Sequence, residues 1–90
     1  MPEAYRVEWA PSAKRDLARL PEKAATAVVE FIYSGLSDNP ERVGRALRLE
    51  LTGLHAARRG DFRIIYRIDP RRMLVFITAV DHRADVYRRR

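Results

Sequence analysis

The sequence predicts an α+β fold in which an N-terminal strand and a two-helix hairpin pack on a three- to four-stranded antiparallel sheet. Three observations predict it. Residues Tyr5 to Trp9 alternate apolar and charged side chains with the period of two that a half-buried strand requires. Between Ser12 and Leu36 the apolar positions change to helical spacing. From Ala46 onward, alternation returns in short runs broken by Gly, Asp and Pro, the pattern of a strand meander.

Taken in order, the opening strand sets Tyr5, Val7 and Trp9 against Arg6 and Glu8, and Ala10-Pro11 ends it. Ser12 is the expected N-cap of the first helix. Ala13, Leu17 and Leu20 form its inner face, Lys14, Arg15, Asp16 and Arg19 its outer one, and Pro21 stops it. Pro21 then fits the first turn of a second helix. Its stripe is Ala25, Val28, Val29, Ile32 and Leu36, and Gly35 weakens the last turn. Ser37 to Pro40 is loop chemistry, and Glu41-Arg42-Val43 adds one helical turn before Gly44.

The second half begins with an expected strand from Ala46 to Leu51, a turn at Thr52-Gly53 and an extended piece from Leu54 to Arg58. Arg59-Gly60-Asp61 is a tight turn into the next strand. There Phe62, Ile64, Tyr66 and Ile68 form one face, while Arg63, Ile65 and Arg67 form the other. One face is core and the other carries charge. Asp69 to Arg72 links to Met73 to Val80, whose nearly continuous apolar run marks a central strand covered by helices on one side and partly covered on the other. Asp85-Val86-Tyr87 and Arg88 to Arg90 close the chain as a short extended or helical segment with a basic tail.

Ninety residues accommodate one domain, expected over 1–90, with a core of modest size. An apolar fraction of 47% and a charged fraction of 33% are those of a soluble globular chain. No apolar run reaches membrane-spanning length and the N-terminus lacks a secretory pattern, so a cytoplasmic address with no membrane partner is expected. The absence of cysteine excludes disulfides, zinc-thiolate sites and cysteine nucleophiles. Two histidines, His55 and His82, do not make a histidine-rich metal cage, and no metal or other cofactor is expected. A net charge of +6 points to an anionic partner, with nucleic acid or an acidic protein ahead of a membrane surface.

Three blocks then narrow the function. They are Leu17-Ala-Arg-Leu-Pro21, Gly53-Leu-His-Ala-Ala-Arg-Arg-Gly-Asp-Phe-Arg-Ile-Ile-Tyr66 and Asp81-His-Arg-Ala-Asp-Val-Tyr87. Together, in this order and over nearly the whole chain, they resemble the RelE toxins of bacterial toxin-antitoxin systems, and the mycobacterial RelE-like members in particular. The resemblance implies a RelE-like microbial ribonuclease fold and a metal-free endoribonuclease that enters the ribosomal A site and cuts mRNA. It also implies contacts to 16S ribosomal RNA, and neutralisation by a RelB-like antitoxin in a hetero-oligomer. Cleavage in such proteins is in-line attack by the ribose 2′-hydroxyl on the adjacent phosphate, which demands RNA.

On the resemblance, Arg63 is the strand arginine at the scissile phosphate and Tyr87 the C-terminal tyrosine that stacks on a base and assists proton transfer. Arg83 falls where an arginine is held near the leaving group. The family's pair of lysines on the preceding strand corresponds to Leu54 and Ala56 here. That departure leaves His82 as the expected acid or base, since imidazole titrates near neutrality. Arg58 is then a replacement cation, with Arg59, Arg67 and Arg88 as further phosphate contacts. Two other readings stay open: a ParE-type protein that poisons gyrase without cutting RNA, and a catalytically weak member that serves as an antitoxin-binding partner.

Overall fold

The computed structural model describes residues 4–82, and within them five strands make one sheet in the order β1-β5-β4-β3-β2. Strand β1 spans Arg6–Trp9, β2 Arg45–Ala46, β3 His55–Arg59, β4 Phe62–Asp69 and β5 Leu74–His82. The four later strands are mutually antiparallel, as expected, and β1 adds to β5 in parallel. Strand β5 is thus paired on both sides, although the middle strand of the five is β4.

Helix α1, Pro11–Ala18, opens with proline at a position whose N–H has no intrahelical partner anyway. Ser12 does not cap it. Its hydroxyl donates to the Thr78 carbonyl at 2.7 Å, and Asp16 Oδ2 accepts the Val80 N–H at 3.0 Å. The reason is topological: β1 ends at the Trp9 to Ile77 pair, and the side chains of α1 take over the exposed edge of β5 beyond it. Helix α2 spans Glu22–Phe31 and runs into a π-helical turn over Ile32–Leu36. Val28, Ile32 and Leu36, four residues apart, are fully buried and form the spine of the core.

That core lies on one face of the sheet only. Ala57, Ile64, Tyr66, Val75, Ile77 and Val80 meet α2 and Ala13 of α1 there, with Val7 and Trp9 packed at the margin. The alternation of β4 is as the sequence predicts, with Ile64 and Tyr66 inward and Arg63 and Arg67 outward.

Two expectations are corrected. The strand foreseen from Ala46 to Leu51 ends at Ala46, and the chain turns through a 3-10 segment at Leu49–Leu51. Local bonds win there: the Thr52 hydroxyl donates to the Leu49 carbonyl at 2.7 Å, and the Leu51 and Thr52 amides close onto Arg48 and Leu49. Among the described residues no strand lies beyond β2, so Leu49 and Leu51 gain nothing from extending it, and Leu49 is 84% exposed. The second correction concerns the hairpin turn, which is Gly60-Asp61 alone, because Arg59 still pairs with Phe62. Gly60 takes φ +61, the left-handed conformation required at the first central position of such a turn.

One buried polar group ties the far end together. The Tyr66 hydroxyl donates to the Pro40 carbonyl at 2.6 Å, fixing helix α3, Pro40–Val43, over the sheet. Burial pushes its pKa from 10.0 up to about 12, opposed by a smaller lowering from a hydrogen bond to the Gly44 backbone. The unfolded chain therefore releases this proton near pH 10 while the folded chain keeps it, so Tyr66 favours folding fully below pH 10 and progressively less from pH 10 to 12. Tyr66→Phe is expected to cost about 1–3 kcal/mol at neutral pH, since the Pro40 carbonyl loses its partner. The variant should also show a shallower loss of stability between pH 10 and 12. Urea unfolding across that range checks both, and parallel pH profiles would refute the titration.

Candidate functional site: an arginine groove

A groove of about 530 Å³ lies at the β2 end of the sheet, lined by Val43, Arg45, Leu47, Ala56, Ala57, Arg58 and Arg63, and by register Arg45, Ala56, Arg58 and Arg63 share the face away from the core. Its cations come from three adjacent strands. Arg58 and Arg63 are direct cross-strand partners, which places two like charges side by side. Such a pair destabilises a sheet unless an anion lies between the two. Arg45 is the partner of Ala56 on the next strand, on the same face as Arg58. Alanine at position 56 leaves the floor open between them. The Arg63 Nε is buried and has no hydrogen-bond partner among the described residues. On its other side the register partner of Arg63 is Asp81, which is buried.

Guanidinium groups are fork-shaped donors that stay charged at every accessible pH, and a pair of them suits the oxygens of a phosphodiester. Among the described residues, the groove lining holds no group that titrates near neutrality. What the lining can do chemically is bind an anion and stabilise added negative charge on it.

The residues expected from the sequence divide into those the groove gathers and those it does not. Arg58 and Arg63 lie together in it. Arg67 shares their face, four residues further along β4 than Arg63 and beyond the lining. Arg59 pairs with Phe62, and His82 pairs with Phe62 from the other side, so both belong to the helix face of the sheet. The His82 ring meets Phe62 edge-on, with centroids 5.1 Å apart. Arg83, Tyr87 and Arg88 lie outside the described residues.

The placement of His82 follows from a β-bulge. Ile65 pairs with Ala79 and Tyr66 with Ile77, which leaves Thr78 as an extra residue in β5. Val75 and Ile77 face the core before it, and Val80 after it. The bulge thus inverts the parity of the strand end, turning His82 to the helix side and Asp81 to the side of Arg63.

Sequence reasoning missed Arg45. The strand-like pattern begins there, after the Gly44 break, but a two-residue strand is too short to show which face Arg45 takes. The lysine positions of the resemblance fall at Ala56, on the groove floor, and at Leu54, just before β3. Arg45, directly opposite Ala56, restores a cation there.

Comparison with known proteins adds to this geometry. A family model described as the ParE toxin of type II toxin-antitoxin systems matches residues 7–87. Toxin RelG of Mycobacterium tuberculosis is 52% identical over 85 residues, which cover 94% of this chain and 98% of that protein. The crystal structure of the toxin-antitoxin complex RelBE2 from the same organism contains a chain that superposes with a TM-score of 0.87 at 50% identity, over 91% of this chain and 94% of that one. An archaeal RelE-RelB complex from Pyrococcus horikoshii gives a TM-score of 0.70 at 28% identity, over 90% and 97%.

Proposed function

From the premise that this chain belongs to the RelE/ParE toxins of type II toxin-antitoxin systems, we propose that it is a RelE-type endoribonuclease that cuts mRNA in the ribosomal A site. The observation that supports this most directly is the facing pair Arg58 and Arg63, with the Arg63 Nε buried and without a partner, in an open groove. In the proposed reaction the 2′-hydroxyl of one nucleotide attacks the adjacent phosphorus in line with the departing 5′-oxygen. A 2′,3′-cyclic phosphate and a 5′-hydroxyl result. Arg63 and Arg58 hold the non-bridging oxygens and oppose the charge that grows on them. No step requires a metal ion. A RelB-like antitoxin, the kind of partner present in the RelE-RelB complex of the archaeal relative, is the proposed inhibitor.

Proton transfer is assigned to the chain leaving β5, in which Arg83 and Tyr87 carry the proposed roles at the leaving group and the base. His82 is turned to the helix face against Phe62. His82→Ala is therefore expected to change single-turnover cleavage on programmed ribosomes by less than tenfold, whereas loss of a general acid or base costs about 10²–10⁴-fold. A loss in that larger range would return His82 to the proton path.

The same experiment tests the function itself. Cuts mapped within the A-site codon support the nuclease. The family model's description favours a second reading, a ParE-type toxin acting on gyrase. Intact mRNA with gyrase-dependent DNA breaks would select it.

A further inference from the structure

We infer that Asp16 is a positioning residue for the proposed cleavage: from α1, with Ser12 beside it, it holds the end of β5 in the register from which the chain bearing Arg83 and Tyr87 departs. This role rests on the nuclease reading.

Three observations carry it. The first is a handover along one edge of β5. The last backbone rung between β1 and β5 is the Ala10 N–H, which donates to the Ile77 carbonyl at 2.8 Å. Among the described residues no strand pairs with this edge beyond Ile77. Further along it, the Ser12 hydroxyl donates to the Thr78 carbonyl at 2.7 Å, and the Val80 N–H donates to Asp16 Oδ2 at 3.0 Å. Ser12 and Asp16 lie one turn apart on α1, flanking the fully buried Ala13 that seats the helix on the sheet.

The second is where these bonds fall. They bracket the bulge. The Thr78 hydroxyl donates to the Ile65 carbonyl at 3.1 Å on the β4 side, so the extra residue is held from both neighbours. Each residue after it takes its direction from it: Val80 enters the core, and Asp81 comes opposite Arg63. A slip of one residue would reverse both, and Asp16 grips the strand just past the point where such a slip starts.

The third is the cost to α1. Aspartate is a poor helix former, and its charge is unfavourable in the last turn, where the helix dipole is negative. Helical spacing alone groups Asp16 with the outward charges, yet it is half-buried against β5. Its place is explained by β5, to which it offers a charge-assisted acceptor stronger than a neutral strand carbonyl.

Arg58 and Arg63 stand on β3 and β4 and keep the phosphate whether or not β5 ends firmly. Asp16 therefore acts on the chemical step and not on binding. The test follows single-turnover cleavage by the intact chain on programmed ribosomes against toxin concentration, together with amide hydrogen exchange of the free chain. Asp16→Ala is expected to lower the maximal rate by about 10- to 10²-fold, the range for misplaced reacting groups. The half-saturating concentration should change by less than about twofold. Exchange at the Val80 amide should rise while Val75 and Ile32, deep in the core, keep theirs. Asp16→Asn leaves an oxygen in the same place, and should restore Val80 protection and bring the rate within about threefold of wild type.

A lower rate with exchange raised equally at Val80, Val75 and Ile32 would make Asp16 an ordinary stabilising contact and overturn the role. So would a wild-type maximal rate in Asp16→Ala, or an Asp16→Asn variant as impaired as Asp16→Ala. If Arg63→Ala is impaired in the same assay, the nuclease reading survives each of those outcomes. No cleavage by the wild-type chain overturns that reading and the positioning role with it.

Discussion

Arg63→Ala is expected to lower single-turnover cleavage by about 10²–10³-fold while the thermal midpoint stays where it is or rises. The first half follows from position. Arg63 stands in the groove beside Arg58 and opposite Asp81, and removing one preorganised donor to a developing oxyanion costs about that factor. The second half follows from what the sheet tolerates there. A half-buried guanidinium whose Nε lacks a partner, facing a second arginine across β3, costs the folded state desolvation and repulsion. Alanine removes both. Arg63→Lys keeps the charge but loses the fork, and should remain at least about tenfold impaired. Cleavage by Arg63→Ala near the wild-type rate would remove the residue from the reaction. A clear drop in its midpoint would make it a structural arginine.

Activity lost while stability is kept is the behaviour of a residue held for chemistry rather than for the fold. The sequence shows where Arg63 stands because β4 is long and strictly alternating: Phe62, Ile64, Tyr66 and Ile68 leave Arg63 nowhere but the outer face. The same regularity makes Val28, Ile32 and Leu36 legible as the core stripe of α2, and Gly60 legible as the hairpin turn. Long periodic segments carry their own register.

The parts that were not legible lack such periodicity. Strand β2 has two residues, too few for any period, and so Arg45 could not be assigned a face. In β5 the apolar run hides a bulge, since Ile77, Thr78, Ala79 and Val80 fit either parity. Whether His82 joins Arg63 or opposes it depends on that one extra residue. It is set by tertiary contacts: the Ser12 hydroxyl holds the Thr78 carbonyl, and the Thr78 hydroxyl donates to the Ile65 carbonyl at 3.1 Å. The leucines at 49 and 51 showed the converse error, a good strand pattern that local 3-10 bonds override. Half the site was therefore visible in the chain, and the other half was fixed by register.

The second large effect is expected at Gly44, where alanine should destabilise the protein by about 1–3 kcal/mol and lower the melting midpoint by about 4–8 °C for each of those kcal/mol. Backbone conformation is not the reason, because φ −111 and ψ −176 suit any residue. Space is the reason. A Cβ here would overlap the Tyr66 hydroxyl and come within 2.8 Å of the Ala56 carbonyl. Neither can yield cheaply, the first being a fully buried side chain bonded to Pro40 and the second a sheet backbone paired to Arg45. Relief requires β2 to move off β3, which carries Arg45 out of the groove. Gly35→Ala is the contrasting case. Its Cβ would meet nothing within 4 Å, and the helical backbone there gains up to about 1 kcal/mol from losing a glycine. Chemical denaturation of the two variants side by side decides the matter: opposite signs support close packing at Gly44, and equal changes would mean that β2 is held too loosely for Gly44 to matter.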